Sequence, residues 1–175
     1  MDISEQTITL HPQWLGKLFA HKSKSRAVFN DVLALYDVNH IAIAYINKDN
    51  QLLTLSSTPS LEYNMLSSTL WQYDNTYNPE WFRQCKQASW QSLYPAERYD
   101  ELYYIKQIKP HYPIGLSMAT KLDSEYVIYS IASTNNSEHT HEIFENHRDK
   151  LYQIAQYCMI HLRSLLIDSD ADIQP

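Results

Sequence analysis

Apolar and polar positions along the first third of the chain alternate with two periods, which predict two helices and a hairpin. Residues 11–20 (HPQWLGKLFA) carry apolar side chains at helical spacing, and a second helix is expected from an N-cap at Ser25 to about Tyr36. The segments 40–46 (HIAIAYI) and 51–57 (QLLTLSS) are rich in strand-forming residues and are separated by the turn NKDN. These two segments predict an antiparallel hairpin.

The last third of the chain shows the same two periods. Residues 114–122 (IGLSMATKL) and 125–133 (EYVIYSIAS) predict a second hairpin, closed by a turn at Asp123 and Ser124. The segment STNNSE then supplies turn and cap residues for one long closing helix. The apolar positions of that helix recur with a period near 3.6: Phe144, Leu151, Ile154, Cys158, Leu162 and Leu165.

Prolines divide the middle of the chain. Pro59 and Pro79 each open a helical segment, and the second is expected to run from an N-cap at Asn78 to about Trp90. From Pro95 to Gln107 we expect a helix followed by a loop. This order of elements predicts an α+β fold, an antiparallel sheet with helices on both faces, which is an α/β/α sandwich of the PAS or GAF kind. Residues 1–167 are expected to form one domain, and 168–175 an acidic disordered tail.

The composition excludes several classes of enzyme. Of 175 residues, 44% are hydrophobic and 19% charged, which is typical of a folded globule. Only two residues are glycine, where average usage of ~7% predicts about twelve, so P-loop and Rossmann phosphate sites are not expected. Fourteen tyrosines and four tryptophans suit either a ligand pocket with an apolar wall and a few polar groups, or a tyrosine-rich core.

The charges do not indicate a nucleic-acid or membrane partner. The net charge is −6, and one short basic cluster, at His21, Lys22, Lys24 and Arg26, is typical of a solvated helix edge. No signal peptide or membrane span is predicted, so a cytoplasmic location is expected.

No catalytic or metal-binding pattern is legible, so the chain is not expected to be an enzyme or to hold a cofactor. His139, His141 and His147 lack ligand spacing, and Cys85 and Cys158 lack a partner at a metal or redox spacing. Two pairs of neighbouring carboxylates, Asp100 with Glu101 and Glu142 with Glu145, are typical of exposed helix faces.

The segment 77–95 (YNPEWFRQCKQASWQSLYP) holds the candidate ligand-binding residues. If it is helical, Trp81 and Cys85 share a face at a spacing of four. Two interpretations are open. In one, the segment forms the wall of a pocket lined by Tyr77, Trp81, Cys85, Trp90 and Tyr94. In the other, the same side chains only dock the middle helices onto the sheet.

The pattern Tyr-x-x-x-Trp-x-x-x-Cys in this segment resembles the autoinducer-binding domain of LuxR-type quorum-sensing transcription regulators. IASTNN (131–136), placed before the closing helix, is similar to a phrase of that family, and the resemblance covers roughly residues 10–167. It implies that Tyr77 and Trp81 line the pocket, with Trp81 where the family grips the lactone head group of its ligand.

Two departures change what the resemblance implies. Cys85 stands where the family has tyrosine, and Tyr94-Pro95 stands where it has Asp-Pro, whose carboxylate accepts the acyl-amide N–H of the ligand. An unmet buried donor costs about 1–3 kcal/mol, so selectivity for acyl-homoserine lactones is not expected. Nothing after Leu166 resembles the helix-turn-helix domain of the family.

The expected function is therefore that of a non-catalytic sensor domain for a small apolar or amphipathic molecule. Its output would pass through a homodimer or a partner protein. The alternative is a pocketless adaptor that binds a partner protein through its long terminal helix or an aromatic surface.

Overall fold

A computed structural model describes residues 7–20 and 22–167; His21 and the predicted tail 168–175 lie outside these ranges. Its centre is a six-stranded sheet in the order β1-β3-β2-β6-β5-β4. All neighbouring strands are antiparallel except β1 and β3, which are parallel. The strands are β1 (Thr9–Leu10), β2 (His40–Ile46), β3 (Gln51–Ser56), β4 (Gln87–Ser89), β5 (Ile114–Leu122) and β6 (Glu125–Ser133).

Both predicted hairpins are confirmed, and they join through their inner strands. Strand β2 pairs with β6 from His40 opposite Ala132 to Ile46 opposite Tyr126, so both strands lie inside the sheet. Their side chains are almost all buried, which is why continuous runs of β-branched and aromatic residues occur there. The two short edge strands β1 and β4 were not predicted.

Helices and turns cover both faces of the sheet, which confirms the α/β/α class. The helices are α1 (Trp14–Ala20), α2 (Lys22–Val32), α3 (Pro59–Leu66), α4 (Pro79–Phe82), α5 (Tyr99–Tyr103), α6 (Glu138–Asn146) and α7 (Arg148–Leu166). Helices α2, α6 and α7 bury their apolar residues on one face. Helices α3, α4 and α5, with the turns between them, cover the other face. None of the described helices is long and apolar enough to cross a membrane.

The second helix differs from its prediction at both ends. Ser25 is not an N-cap; it is buried inside α2, and its hydroxyl donates to the carbonyl of Lys22. The helix ends at Val32 instead of Tyr36, because Ala34, Tyr36 and Asp37 adopt positive φ angles that a right-handed helix excludes.

The predicted helix from Pro79 to Trp90 is wrong beyond its first turn. Asn78 is the expected N-cap, and its Oδ1 accepts the Glu80 N–H at 3.0 Å. Helix α4 nevertheless ends at Phe82, Cys85 has a φ of 54°, and β4 begins two residues later. Trp81 and Cys85 therefore do not share a helical face.

The remaining helical predictions are correct in part. The single closing helix is divided at His147 into α6 and α7, and Ser137 caps α6 by accepting the Thr140 N–H. The segment after Pro95 contains α5, as expected, but it continues into a π-helical turn at Tyr104–Ile108 before the loop.

Gly115 in β5 allows Trp90 to lie directly against the sheet. A Cβ atom at this position would fall well inside van der Waals contact with Cδ2 and Cε3 of the indole. The backbone N–H of Trp90 also donates to the Gly115 carbonyl at 3.0 Å. Gly16, on α1, has open space around its α-carbon.

We expect the two glycines to respond oppositely to alanine. Gly115→Ala should lower the free energy of unfolding by about 1–3 kcal/mol, because the indole must move out of a packed core. Gly16→Ala should raise it by about 0.5–1 kcal/mol, since alanine is the better helix former. Urea unfolding measures both changes, and equal effects at the two positions would show that Trp90 does not lie where the structure places it.

Candidate functional site

Three of the five predicted pocket residues lie together on the face of the sheet covered by the middle segments. Tyr77, Trp90 and Tyr94 are buried in this apolar cluster, and Trp90 is only 1% exposed. Trp81 packs against the cluster and is partly buried. Cys85 is exposed, while Phe82, which was not among the predicted residues, is fully buried.

Charged and polar side chains are buried among these aromatic rings. We refer to His40, Glu62, Asp74, Lys106 and Gln107 as the buried polar cluster; each is at most 3% exposed. His40 opens β2, Glu62 lies on α3, Asp74 caps the turn at 75–77, and the last two belong to the π-helical turn. Burial of so many ionisable groups is unusual and is a common property of functional sites.

Lys106 is held by one carboxylate and two aromatic rings. Its Nζ donates to Oδ2 of Asp74 at 2.7 Å, and Oδ1 of Asp74 accepts the Thr76 N–H at 3.0 Å. The ammonium group lies 4.4 Å from the ring centre of Trp90 and 5.6 Å from that of Tyr94. The cation therefore gains cation–π contacts as well as a charge-assisted hydrogen bond.

Burial shifts the pKa values of His40 and Glu62 in opposite directions. Desolvation, assisted by the charge of Lys106, lowers the pKa of His40 from 6.5 to about 3. Desolvation raises the pKa of Glu62 from 4.5 to about 7, although Lys106 and the Ser56 hydroxyl act against the rise. The His40 ring is therefore neutral at neutral pH, and its 3.5 Å approach to Glu62 is a contact without an ion pair.

A chain of hydrogen bonds ties the cluster to its surroundings. His40 Nδ1 lies 2.9 Å from Oγ1 of Thr58, which lies 2.7 Å from the hydroxyl of Tyr112. The Tyr94 hydroxyl donates to Oε1 of Gln107 at 2.8 Å, and Nε2 of Gln107 donates to the carbonyl of Pro113 at 3.0 Å. These bonds fix the π-helical turn against the sheet.

Two buried ring nitrogens in this layer, Nε1 of Trp90 and Nε2 of His40, make no hydrogen bond among the described residues. Nε2 of His40 does lie 3.5 Å from Oε1 of Glu62. The two ring centres lie 6.0 Å apart. Buried polar atoms are rarely left unpaired, so these two need an explanation.

Two pockets open at the surface, and neither is lined by His40 or Trp90. Tyr77 lines a shallow pocket of about 370 Å³ together with Ile8, Trp71 and Pro79. A second pocket, of about 360 Å³, lies between α2 and α3. Trp81, Trp90 and Tyr94 line neither of them.

The other residues considered for chemistry are not brought together. In residues 7–20 and 22–167, no group of three or more His, Cys, Asp or Glu side chains is placed to hold a metal ion. His139, His141 and His147 are exposed, as are Asp100 and Glu101.

Two charged residues at apolar positions of the sequence could have predicted the buried polar cluster, but the site was predicted from the aromatic pattern of this region. Glu62 lies three and four residues before Met65 and Leu66, so helical spacing places its carboxyl on the buried face of α3. Lys106 is likewise a single charge within the apolar stretch YYIKQI. A charge at a position assigned to the core indicates a buried partner, and here the partners are distant in sequence.

Comparison with solved structures finds the same fold in several chains, among them SdiA and the VqsR LBD domain. The chain aligns with SdiA of Escherichia coli at a TM-score of 0.56 and 12% identity, covering 88% of this chain and 66% of SdiA. It aligns with the VqsR LBD domain of Pseudomonas aeruginosa at a TM-score of 0.50 and 15% identity, covering 85% of this chain and 96% of that domain. The chain thus spans about two thirds of the length of SdiA.

No family model and no curated protein matches the sequence. The two structural matches, at identities of 12–15%, confirm the resemblance to LuxR-type autoinducer-binding domains at the level of the fold alone.

We expect the Lys106→Met variant to lose about 3–5 kcal/mol of unfolding free energy, because it leaves the buried Asp74 carboxylate without its counter-ion. Lys109→Met is the matched control, since Lys109 is exposed in the same segment and its change should stay within about 0.5 kcal/mol. In the double variant Asp74→Asn/Lys106→Met, the loss should be smaller than the sum of the two single losses. Additive losses in chemical denaturation would contradict a direct ion pair.

The raised pKa of Glu62 predicts a pH dependence of stability. The folded state favours the protonated carboxyl. The contribution of Glu62 to the free energy of unfolding is therefore complete below pH 4.5 and is lost as the pH rises through about 7. Glu62→Gln removes this loss, and its stability relative to the wild type should increase between pH 4.5 and 8 by on the order of 3 kcal/mol. Glu80→Gln, at an exposed carboxylate, is the control. Its free energy of unfolding, measured by chemical denaturation at each pH, should follow that of the wild type over the same pH range.

Proposed function

We propose that the chain is a non-catalytic sensor domain that binds a small amphipathic molecule between the sheet and the segments that cover Trp90. Tyr77, Trp81, Trp90 and Tyr94 form the aromatic side of this site, and the buried polar cluster forms its polar side. The exposed Cys85 takes no part. The shared fold with SdiA and with the VqsR LBD domain supports this assignment.

The observation that carries the proposal is the pair of unpaired ring nitrogens, Nε1 of Trp90 and Nε2 of His40. An unmet buried hydrogen-bonding group costs about 1–3 kcal/mol. A ligand oxygen would remove this cost at the indole N–H, and also at Nε2 of His40 in the tautomer that carries the ring proton there. The indole N–H is a donor only, so the ligand must offer an acceptor such as a carbonyl or hydroxyl oxygen.

The packing around Trp90 constrains how the ligand binds. The ring is in contact with the Gly115 backbone and with the ammonium group of Lys106. A ligand therefore meets the indole at its N–H edge, unless the π-helical turn that carries Lys106 shifts. Single π-helical turns are frequent at functional sites, which is consistent with such a movement.

The same contacts support a ligand other than an acyl-homoserine lactone. Both carboxylate oxygens of Asp74 are already used, one by the Thr76 N–H and the other by Lys106. The hydroxyl of Tyr94 donates to Gln107. At Asp74, the buried carboxylate beside Tyr94 and Trp90, an acyl-amide N–H would have to compete with the Thr76 N–H and with Lys106.

The proposed sensor domain catalyses no reaction, and it would signal by a change in its association with a second copy or with a partner protein. His40 is the buried base beside a hydroxyl, but a pKa of about 3 makes it a poor proton acceptor at neutral pH. Ligand binding would act by shifting a homodimer or partner-protein equilibrium in the cytoplasm, to the extent that the ligand prefers one state.

The alternative of a pocketless adaptor has one observation in its favour. Ile160 on α7 is 74% exposed, and Tyr157 is exposed one turn before it on the same helix. An exposed apolar side chain of this kind is a natural contact for a partner protein. In that case the aromatic layer would serve only as a core.

We expect a thermal-shift screen of lactones, fatty-acid derivatives and aromatic metabolites to yield compounds that raise the melting temperature. At a concentration of 100 times the Kd, a ligand adds about 2.7 kcal/mol to stability. Trp90→Phe, which removes the indole N–H, should weaken such a compound about tenfold or more. Trp71→Phe, an equal change at another buried tryptophan of the same cluster, should leave the Kd within about twofold.

The adaptor makes the opposite prediction. No compound in the screen would shift the melting temperature, and Ile160→Arg would abolish capture of a partner while leaving stability unchanged. Equal weakening by Trp90→Phe and Trp71→Phe would also contradict the proposed site.

A further inference from the structure

The groove between α2, the end of β3 and the start of α3 is separate from the aromatic layer. It has a volume of about 360 Å³, near the lower end of the range of ligand pockets, roughly 300–1,000 Å³. Its lining combines apolar side chains, among them Phe19, Phe29, Leu33 and Tyr63, with two cations, Lys22 and Arg26. None of its lining residues is acidic.

The two cations lie on one face of α2. Lys22 and Arg26 are four residues apart, a spacing that brings like charges together and slightly destabilises a helix. In the described part of the chain neither forms an ion pair, although the net charge of the protein is −6. The basic cluster noted in the sequence thus supplies two uncompensated charges to the rim of a groove.

The apolar part of the groove is aromatic. Phe29, one turn after Arg26, is 1% exposed and belongs to the core. At the rim, the rings of Phe19 and Tyr63 meet edge to face at 6.2 Å, and Tyr63 is 43% exposed. The Nζ of Lys22 lies 5.3 Å from the ring centre of Phe19, so a cation and an aromatic surface are presented together.

We propose that this groove binds a small amphipathic anion, a carboxylate attached to a compact aromatic or aliphatic body. The carboxylate pairs with Arg26 and Lys22, and Arg26 supplies the planar fork that suits a carboxylate. The apolar body packs against Phe19, Tyr63 and Leu33. This site does not depend on the sensor function proposed above, because it shares neither Trp90 nor Lys106.

Calorimetric titration with phenylbutyrate tests the proposal. Phenylbutanol and phenylbutylamine, which replace the carboxylate by a neutral and a cationic group, are the control compounds. We expect saturable one-to-one binding of the carboxylate, and binding about tenfold or more weaker for the alcohol and the amine. Raising the salt concentration should weaken the binding of phenylbutyrate, because the two cations are exposed to solvent. Lys22→Gln and Arg26→Gln should each weaken it about tenfold, with the larger effect at Arg26.

Lys24→Gln is the matched control, since Lys24 is exposed on the same helix and does not line the groove. It removes the same net charge and should leave the affinity within about twofold. Absence of saturable binding, equal affinity for acid and alcohol, or equal weakening by Lys24→Gln and Arg26→Gln would each overturn the proposal. Weakening by Trp90→Phe but not by Arg26→Gln would place the compound in the aromatic layer, and would overturn the groove site while supporting the sensor.

Discussion

The ion pair between Lys106 and Asp74 joins the segments that cover one face of the sheet. Asp74 caps the turn before α4, and Lys106 lies in the π-helical turn 32 residues later. Two charges buried this deeply are tolerated because each has further partners, the Thr76 N–H for the carboxylate and two aromatic rings for the ammonium. Trp90 and Tyr94 are positioned around this pair.

The same pair governs the ionisation of its neighbours. The charge of Lys106 helps to keep His40 neutral, and it opposes the desolvation that raises the pKa of Glu62. Stability linked to His40 increases with pH between about 3 and 6.5, whereas stability linked to Glu62 decreases from 4.5 through about 7. The two effects partly cancel in mildly acid solution, so the layer tolerates a change in pH better than either group would alone.

The sequence predicted the parts of the fold that depend on local periodicity. The inner strands β2 and β6 are continuous apolar runs, and their hairpins follow from the turns beside them. Edge strand β4 depends on pairing with β5, and the end of α4 depends on the turn at Cys85, neither of which leaves a periodic signal. Tyr77, Trp90 and Tyr94 lie in one apolar layer, whereas the helix expected beyond Phe82 does not form and Cys85 is exposed. The role of these residues in ligand binding stays a prediction.

The end of β3 connects the two candidate sites physically. The hydroxyl of Ser56 donates to Oε1 of Glu62 at 3.2 Å inside the polar cluster, and the same residue lines the groove beside Arg26. An anion held in the groove would lie on the far side of this serine from a carboxyl group whose pKa is about 7. Like charges disfavour each other's ionisation, so such an anion would favour the protonated form of Glu62.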